Sequence, residues 1–232
     1  MAVITISRQF GSGGDEIVER ICENTGYLLF NKSILTRAAV ESGLSDQEVV
    51  DYSEENYRVK NFFSRLFGSS RSVTQVRVWK EDKEGVRFTE QIILSEEHAL
   101  ALARKAVETA YQMGSIVIVG RGGQSILKDK PGVLHVRIVA QLEDRILRVR
   151  NEPGFIDRAF DDVLQARRAA RDLIEASDAA SADYLKRFYG VDWSDPMLYH
   201  LLVNTSLVDI KLAAEIIIAA ALRLEHKIEL AE

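Results

Sequence analysis

Cysteine, histidine and long apolar runs are scarce in this 232-residue chain, and basic residues do not outnumber acidic ones. Cys22 is the only cysteine, so no intramolecular disulfide can form, and its place on the apolar face of the first predicted helix makes it a small core residue. His98, His135, His200 and His226 are scattered, with no cysteine or carboxylate at zinc-ligand spacing, so no metal site built from them is expected. His135, inside a predicted strand, reads as a packed or hydrogen-bonded core residue rather than a base. The formal net charge of −5 argues against general binding to nucleic acid but leaves room for a local basic pocket. No apolar run approaches the ~18 residues of a membrane span, and the N-terminus enters a strand at once without a signal-peptide pattern. A cytoplasmic location with no membrane partner is therefore expected.

What is present fits one α/β domain over residues 1–232: 47% hydrophobic residues for the core and 28% charged residues for the surface. Its organising stretch runs from Ile4 to Ile17. Val3, Ile4 and Ile6 are β-branched and suit a strand in a covered sheet. Gly11, Gly13 and Gly14 follow, then Ile17, Val18, Ile21 and Cys22 recur at helical spacing. A strand that feeds a glycine-rich loop opening a helix aims N–H groups and a positive dipole end at one point, which is an anion site. The full phosphate-loop motif is Gly-x-x-x-x-Gly-Lys-Ser/Thr, with the lysine on the β/γ-phosphates and the hydroxyl on magnesium. This chain keeps Gly11-Ser12-Gly13, but Gly14 stands where the lysine belongs and Asp15 where the hydroxyl belongs. Read alone, the turn is a weak motif, and a tight connection between strand and helix is its alternative reading.

The remaining pattern alternates strands with helices. Tyr27 to Phe30 predicts a short strand and Ser33 to Ala38 a helix, followed by an acidic helical stretch from Glu41 to Tyr57. Asn61 to Glu90 is the least regular part, with weak alternation from Val73 to Trp79 and an apolar set at Phe62, Phe63, Leu66 and Phe67 that suits a core face first, with a lid anchor or a dimer patch as the alternatives. This segment is compatible with a homodimer contact. Ser95 is placed to cap a long helix ending at Gly114, and strands are expected at Ser115–Val119, Val133–Val139 and Leu201–Val203. Leu142 to Arg187 reads as helix rich in arginine, for which a solvated surface and an arginine-bearing lid are the two readings. Asp161-Asp162 reads as a solvated pair, and Asp209 to Leu222 as a closing helix. Helices of this length between strands imply parallel pairing, with ligands at the carboxyl ends of the strands. The turn at Gly120-Arg121-Gly122-Gly123 lies at such an end, as does the first glycine loop.

Three stretches together resemble the cytidylate-kinase-like family of P-loop nucleotide kinases. They are Ser7 to Gly14, similar to a variant phosphate loop with glycine at the lysine position; Val119 to Gly122, similar to an Asp-Gly-Arg-Asp turn; and Tyr184 to Trp193 running on to Leu202–Ser206. The resemblance implies a three-layer P-loop kinase-like α/β fold, a parallel sheet flanked by helices, with an acceptor-side segment at about 31–110 and a helical lid at about 150–195. It implies ATP and Mg2+ as cofactors and a nucleotide substrate, with no nucleic-acid partner. Gly11, Ser12, Gly13 and Gly14 would cradle the donor phosphates with Asp15 beside them, and Arg37 and Arg121 would hold the acceptor phosphate. Phosphoryl transfer is mostly positioning and charge neutralisation, which paired guanidinium groups supply.

The departures are as informative. Gly122 replaces an aspartate available to read cytosine, and Asn31 replaces another aspartate. The lid pattern Arg-Asp-x-x-Asp-x-x-Arg becomes Ile174-Glu175-Ala176-Ser177-Asp178-Ala179-Ala180-Ser181, without either arginine. Arg8, just before the loop, and Arg167, Arg168 or Arg171, ahead of the altered lid, are the available replacement cations. Three readings follow: an ATP-dependent phosphotransferase acting on a nucleoside monophosphate (CMP- or dCMP-like) or a related phosphorylated acceptor, a nucleotide-binding sensor with feeble or no catalysis, and a structural or interaction domain that keeps only the kinase-like fold.

Overall fold

The computed structural model describes residues 2–30, 74–81, 87–94, 96–156, 160 and 162–229. The chain divides into two compact units, 1–29 with 114–232, and 30–113. In chain order the elements are β1 (Val3–Arg8), α1 (Gly14–Thr25), β2 (Leu28–Leu29), β3 (Thr74–Glu81), β4 (Arg87–Leu94) and α2 (Glu96–Met113). Then come β5 (Ile116–Val119), α3 (Gly123–Ile126), β6 (Val133–Val139), α4 (Leu142–Asn151), α5 (Pro153–Ile156), α6 (Val163–Tyr189), β7 (Leu201–Asn204) and α7 (Ile210–Glu229).

The first unit is built on a five-stranded sheet of order β2-β5-β1-β6-β7 in which every pairing is parallel. Successive side chains of a strand point to opposite faces, and β1 separates two different environments. Ile4 and Ile6, with Leu134, Val136 and Ile138 of β6, pack against Ile17 and Ile21 of α1 and Ile217 of α7. The alternate positions carry buried polar groups. Thr5 lies opposite His135, and Ser7 opposite Arg137. The Thr5 hydroxyl meets His135 Nδ1 at 2.7 Å.

Arg137 is 4% exposed and no carboxylate pairs with it among the described residues. Its charge is met instead by polar and aromatic groups. Nη1 donates to the Trp193 carbonyl at 2.6 Å and to Tyr199 Oη at 3.2 Å, and the guanidinium lies 4.2 Å from the Trp193 ring centroid. Trp193 Nε1 in turn donates to Ser7 Oγ at 2.7 Å. These contacts fix the chain between α6 and β7 against the sheet.

Most strands and helices fall where the pattern predicts. Gly26, left-handed at φ 71°, stops α1, and Gly114, at φ 66°, follows α2. Asp209 accepts the Leu212 N–H at 2.8 Å at the start of α7. Asp162, half of the expected solvated pair, caps α6 by accepting the Gln165 N–H at 2.7 Å. In the second unit the stretch expected to be irregular contains a hairpin: β3 and β4 pair antiparallel from Thr74 with Leu94 to Glu81 with Arg87. The alternation in β3 was legible; β4 shows it too weakly to separate it from the surrounding polar residues. The predicted Ser95 cap, the 31–57 helices and the Phe62, Phe63 and Phe67 face lie outside the described residues.

His135 offers a test of this packing. Burial, reinforced by the neighbouring His200, lowers its pKa from 6.5 to about 4. The unfolded chain therefore binds a proton that the folded chain refuses between those values. This contribution to stability is complete above pH 6.5 and is lost as pH falls toward 4, by up to about 3 kcal/mol. Urea unfolding of the wild type and of His135→Gln across pH 4 to 7 should show a shallower slope for the variant; equal slopes would contradict the assignment.

Candidate anion site at the glycine loop

The loop from Gln9 to Gly13 leaves the carboxyl end of β1, the central strand, and opens directly into α1. Gly11 and Gly13 are left-handed, at φ 75° and 77°, so glycine is required at both for backbone reasons. They also lie against neighbours: a Cβ on Gly11 would stand 2.7 Å from Val149 Cγ2, and one on Gly13 would stand 2.5 Å from Ile210 Cδ1. Within the loop the Ser12 N–H bonds Gln9 O, and the next backbone bond is from the Ile17 N–H to Gly13 O. The amides from Gly13 to Glu16 have no partner among the described residues, and no side chain caps α1. Ser12 itself is 1% exposed, and its hydroxyl oxygen is buried with no hydrogen-bond partner among the described residues. A buried hydroxyl and a row of helix-start amides, all unsatisfied and adjacent, suit an oxygen-rich anion such as a phosphate group.

The loop is held from the opposite side by four side chains. Asp178 of α6 accepts the Phe10 N–H at 2.9 Å through Oδ1, while its Oδ2 takes Arg145 Nη1 at 2.6 Å. The same Arg145 nitrogen reaches the Phe10 carbonyl at 3.3 Å. Thr205, just after β7, donates its hydroxyl to the Ser12 carbonyl at 2.7 Å and is itself held by Arg148 at 3.1 Å to Oγ1 and 2.9 Å to its carbonyl. Gln9 Oε1 accepts the Ala140 N–H at 3.0 Å. Arg145 and Arg148 belong to the run expected to be a solvated surface. For Arg145 that expectation fails: it is buried, because α4 packs its inner face on the loop. The carboxyl ends of β1, β6 and β7 thus converge on one backbone segment.

The second glycine turn stands beside the first, since β5 pairs with β1 and the Gly120 N–H donates to the Ile6 carbonyl at 2.9 Å. Gly120, Arg121 and Gly122 are all left-handed, at φ 65°, 57° and 70°. An arginine there is uncommon and mildly strained, a feature that concentrates at functional positions. A Cβ on Gly122 would stand 2.6 Å from the Tyr189 ring, so no side chain fits unless that ring moves.

The sequence profile of the cytidylate kinase-like family matches residues 3–207. The chain belongs to the cytidylate kinase-like family. A protein named cytidylate kinase from Aeropyrum pernix is 27% identical over 219 residues, 94% of this chain and 98% of that one. Among solved structures, an uncharacterized protein from Eubacterium ventriosum superposes with a TM-score of 0.59 at 19% identity, covering 95% of this chain and 98% of its own. A shikimate kinase from Acinetobacter baumannii aligns with a TM-score of 0.44 at 13% identity, over 96% of this chain and 94% of its own. The fold is the α/β kinase-like fold, a parallel sheet flanked by helices, and membership of the family supports a nucleotide-kinase-like function. No helix among the described residues is long and apolar enough to cross a membrane.

Of the residues singled out from the sequence, the structure gathers Arg8, Gly11, Ser12, Gly13, Gly14 and Asp15 at one loop and sets Arg121 at the neighbouring strand end. Arg171 is elsewhere in character: it is exposed and paired with Glu175 one turn along α6 at 2.7 Å. Arg167 is likewise exposed and bonded to Glu143. Arg37 lies outside the described residues. In the altered lid stretch, Ile174 is fully buried in the α4–α6 cluster and Ser181 donates to the Ser177 carbonyl at 3.1 Å, so one position is packed and the other is bonded to its own helix. Asp178, which keeps the second acidic position of that pattern, bonds the glycine loop directly.

Removing Asp178 should therefore damage the loop more than the helix that carries it. Asp178→Ala leaves the buried Arg145 charge and the Phe10 N–H unpaired, for an expected loss of about 3 kcal/mol in unfolding free energy. Asp178→Asn, which can still accept from Phe10, should lose less. Denaturant titration reads both; an Asp178→Ala midpoint equal to wild type would contradict the clamp.

Proposed function

We propose that this chain is an ATP-dependent phosphotransferase whose acceptor is a nucleoside monophosphate, CMP or dCMP first, or a related small phosphorylated compound. The observation that carries the proposal is the set of unsatisfied groups at the loop: the buried Ser12 hydroxyl beneath the uncapped amides of α1. These groups would bind the donor phosphates, with Gly11 and Gly13 allowing close approach of the backbone. Mg2+ bound with ATP would supply charge neutralisation at the phosphates. Asp15, at the position after Gly14 and 75% exposed, is the carboxylate that would face the metal. Arg121, on the adjacent strand end, and Arg37 would hold the acceptor phosphate so that one of its oxygens faces the terminal phosphoryl group. That group passes to the acceptor and ADP leaves.

The covered Gly122 bears on base selection. With Tyr189 filling the space a side chain would need, no carboxylate reads the base at this turn. Weak discrimination among nucleoside monophosphates is the expected consequence. A second reading, a nucleotide-binding sensor without useful turnover, is favoured by one observation: Ile174 and Ser181 are packed or bonded within α6 where cations would otherwise stand.

Isothermal titration with MgATP, alone and then with each nucleoside monophosphate, separates the two. The phosphotransferase predicts binding that tightens with an acceptor, together with acceptor-dependent ADP release. Arg121→Ala should raise the acceptor KM about tenfold or more while leaving ATP affinity near wild type. Tight ATP binding with no acceptor effect and no turnover would establish the sensor instead. No binding of ATP, ADP or any monophosphate at millimolar levels would overturn both.

A further inference from the structure

Gly14 differs from the other two loop glycines. Gly11 and Gly13 need glycine for their positive φ, whereas Gly14 is the first residue of α1 and has no such backbone demand. Glycine at a helical position is otherwise disfavoured relative to alanine, so something besides φ has to account for it. Arg8 does. A Cβ on Gly14 would stand 2.7 Å from Arg8 Cδ, 2.9 Å from its Cβ and 3.3 Å from its Cγ. The whole aliphatic stem of Arg8 lies across the face of Gly14, in the space where a side chain from that position would begin. Beyond the stem, Arg8 Nε meets Asp15 Oδ1 at 2.8 Å at the first turn of α1.

We infer that Arg8 delivers from the end of β1 the phosphate-binding cation that a Gly-Lys-Ser/Thr loop delivers from its lysine, and that Gly14 is glycine because the Arg8 stem occupies its place. The inference rests on the reading that the loop binds phosphate, and it names the charge that reading lacked. The electrostatics agree. A guanidinium beside a helix N-terminus faces the positive end of the dipole, an arrangement that favours an arriving anion. In its absence Asp15 supplies the counter-charge, but with its carboxylate 75% exposed the pair is weak and easily exchanged for phosphate. Arg8 is 27% exposed at the side chain, so its head is reachable from solvent while its stem stays packed.

The test uses the full chain and a probe without a base, inorganic tripolyphosphate, alongside MgATP, with Kd read by titration calorimetry and folding by thermal unfolding. Arg8→Met keeps a stem over Gly14 and removes the charge. It should keep the wild-type melting temperature within a few degrees and weaken both ligands by at least about tenfold. Arg8→Lys should recover most of that loss. A second variant, Arg8→Gly with Gly14→Lys, clears the whole stem, Cβ included, and restores a lysine at the loop; it should bind tripolyphosphate more tightly than Arg8→Gly alone. Arg8→Met binding both ligands as tightly as wild type would overturn the inference while leaving the phosphate loop intact. A wild type that binds neither ligand would instead overturn the phosphate reading itself.

Discussion

The glycine loop after β1 leaves its helix-start amides without partners among the described residues, so its shape has to be imposed by other contacts. Four side chains do this, three of them from distant parts of the chain and one, Gln9, from the loop itself. Asp178 and Arg145 hold the peptide at Phe10, Thr205 holds Ser12, and Gln9 ties the loop to the start of α4. Each hydrogen bond is modest alone. The Asp178–Arg145 pair is partly desolvated and contributes more, because removing either partner strands the other in the interior. Without these anchors a segment with two left-handed glycines would have too many conformations to hold its amides in one arrangement.

The sheet makes that convergence feasible. All five strands run the same way, so β1, β5, β6 and β7 end on one side, and their loops are neighbours. Position within the sheet also divides labour. The α1/α7 face is hydrocarbon and supplies most of the burial, while the opposite face carries Thr5, Ser7, His135 and Arg137 in a bonded polar layer. The aromatic groups that satisfy Arg137 come from the segment leading out of α6, so the helix that clamps the loop is itself fixed to the sheet at its far end.

Much of this was legible in the sequence, for physical reasons that also mark the limit. Runs such as Ile116–Val119 and Val133–Val139 are strands because a covered parallel sheet demands continuous apolar or β-branched residues, and glycines punctuate both loops. Arg145 was not legible: in a helix with interleaved acids an arginine looks solvated, and only the approach of Phe10 and Asp178 shows otherwise. Those partners lie 135 and 33 residues away in the chain. The same holds for Gly14, whose missing side chain reads as a defect until the Arg8 stem is seen in its place. Tyr189 over Gly122 is a third case, where a substitution and its occupant are far apart in sequence and adjacent in space.

The central claim, that the loop and the first turn of α1 form the phosphate site, is tested most directly by amide hydrogen exchange with and without MgADP. The account predicts that the amides from Gly11 to Glu16 become protected on addition of nucleotide, with smaller effects spreading to Phe10 and Thr205 through the clamp. Protection confined to other parts of the chain, with the loop amides exchanging as fast as in the free protein, would contradict it.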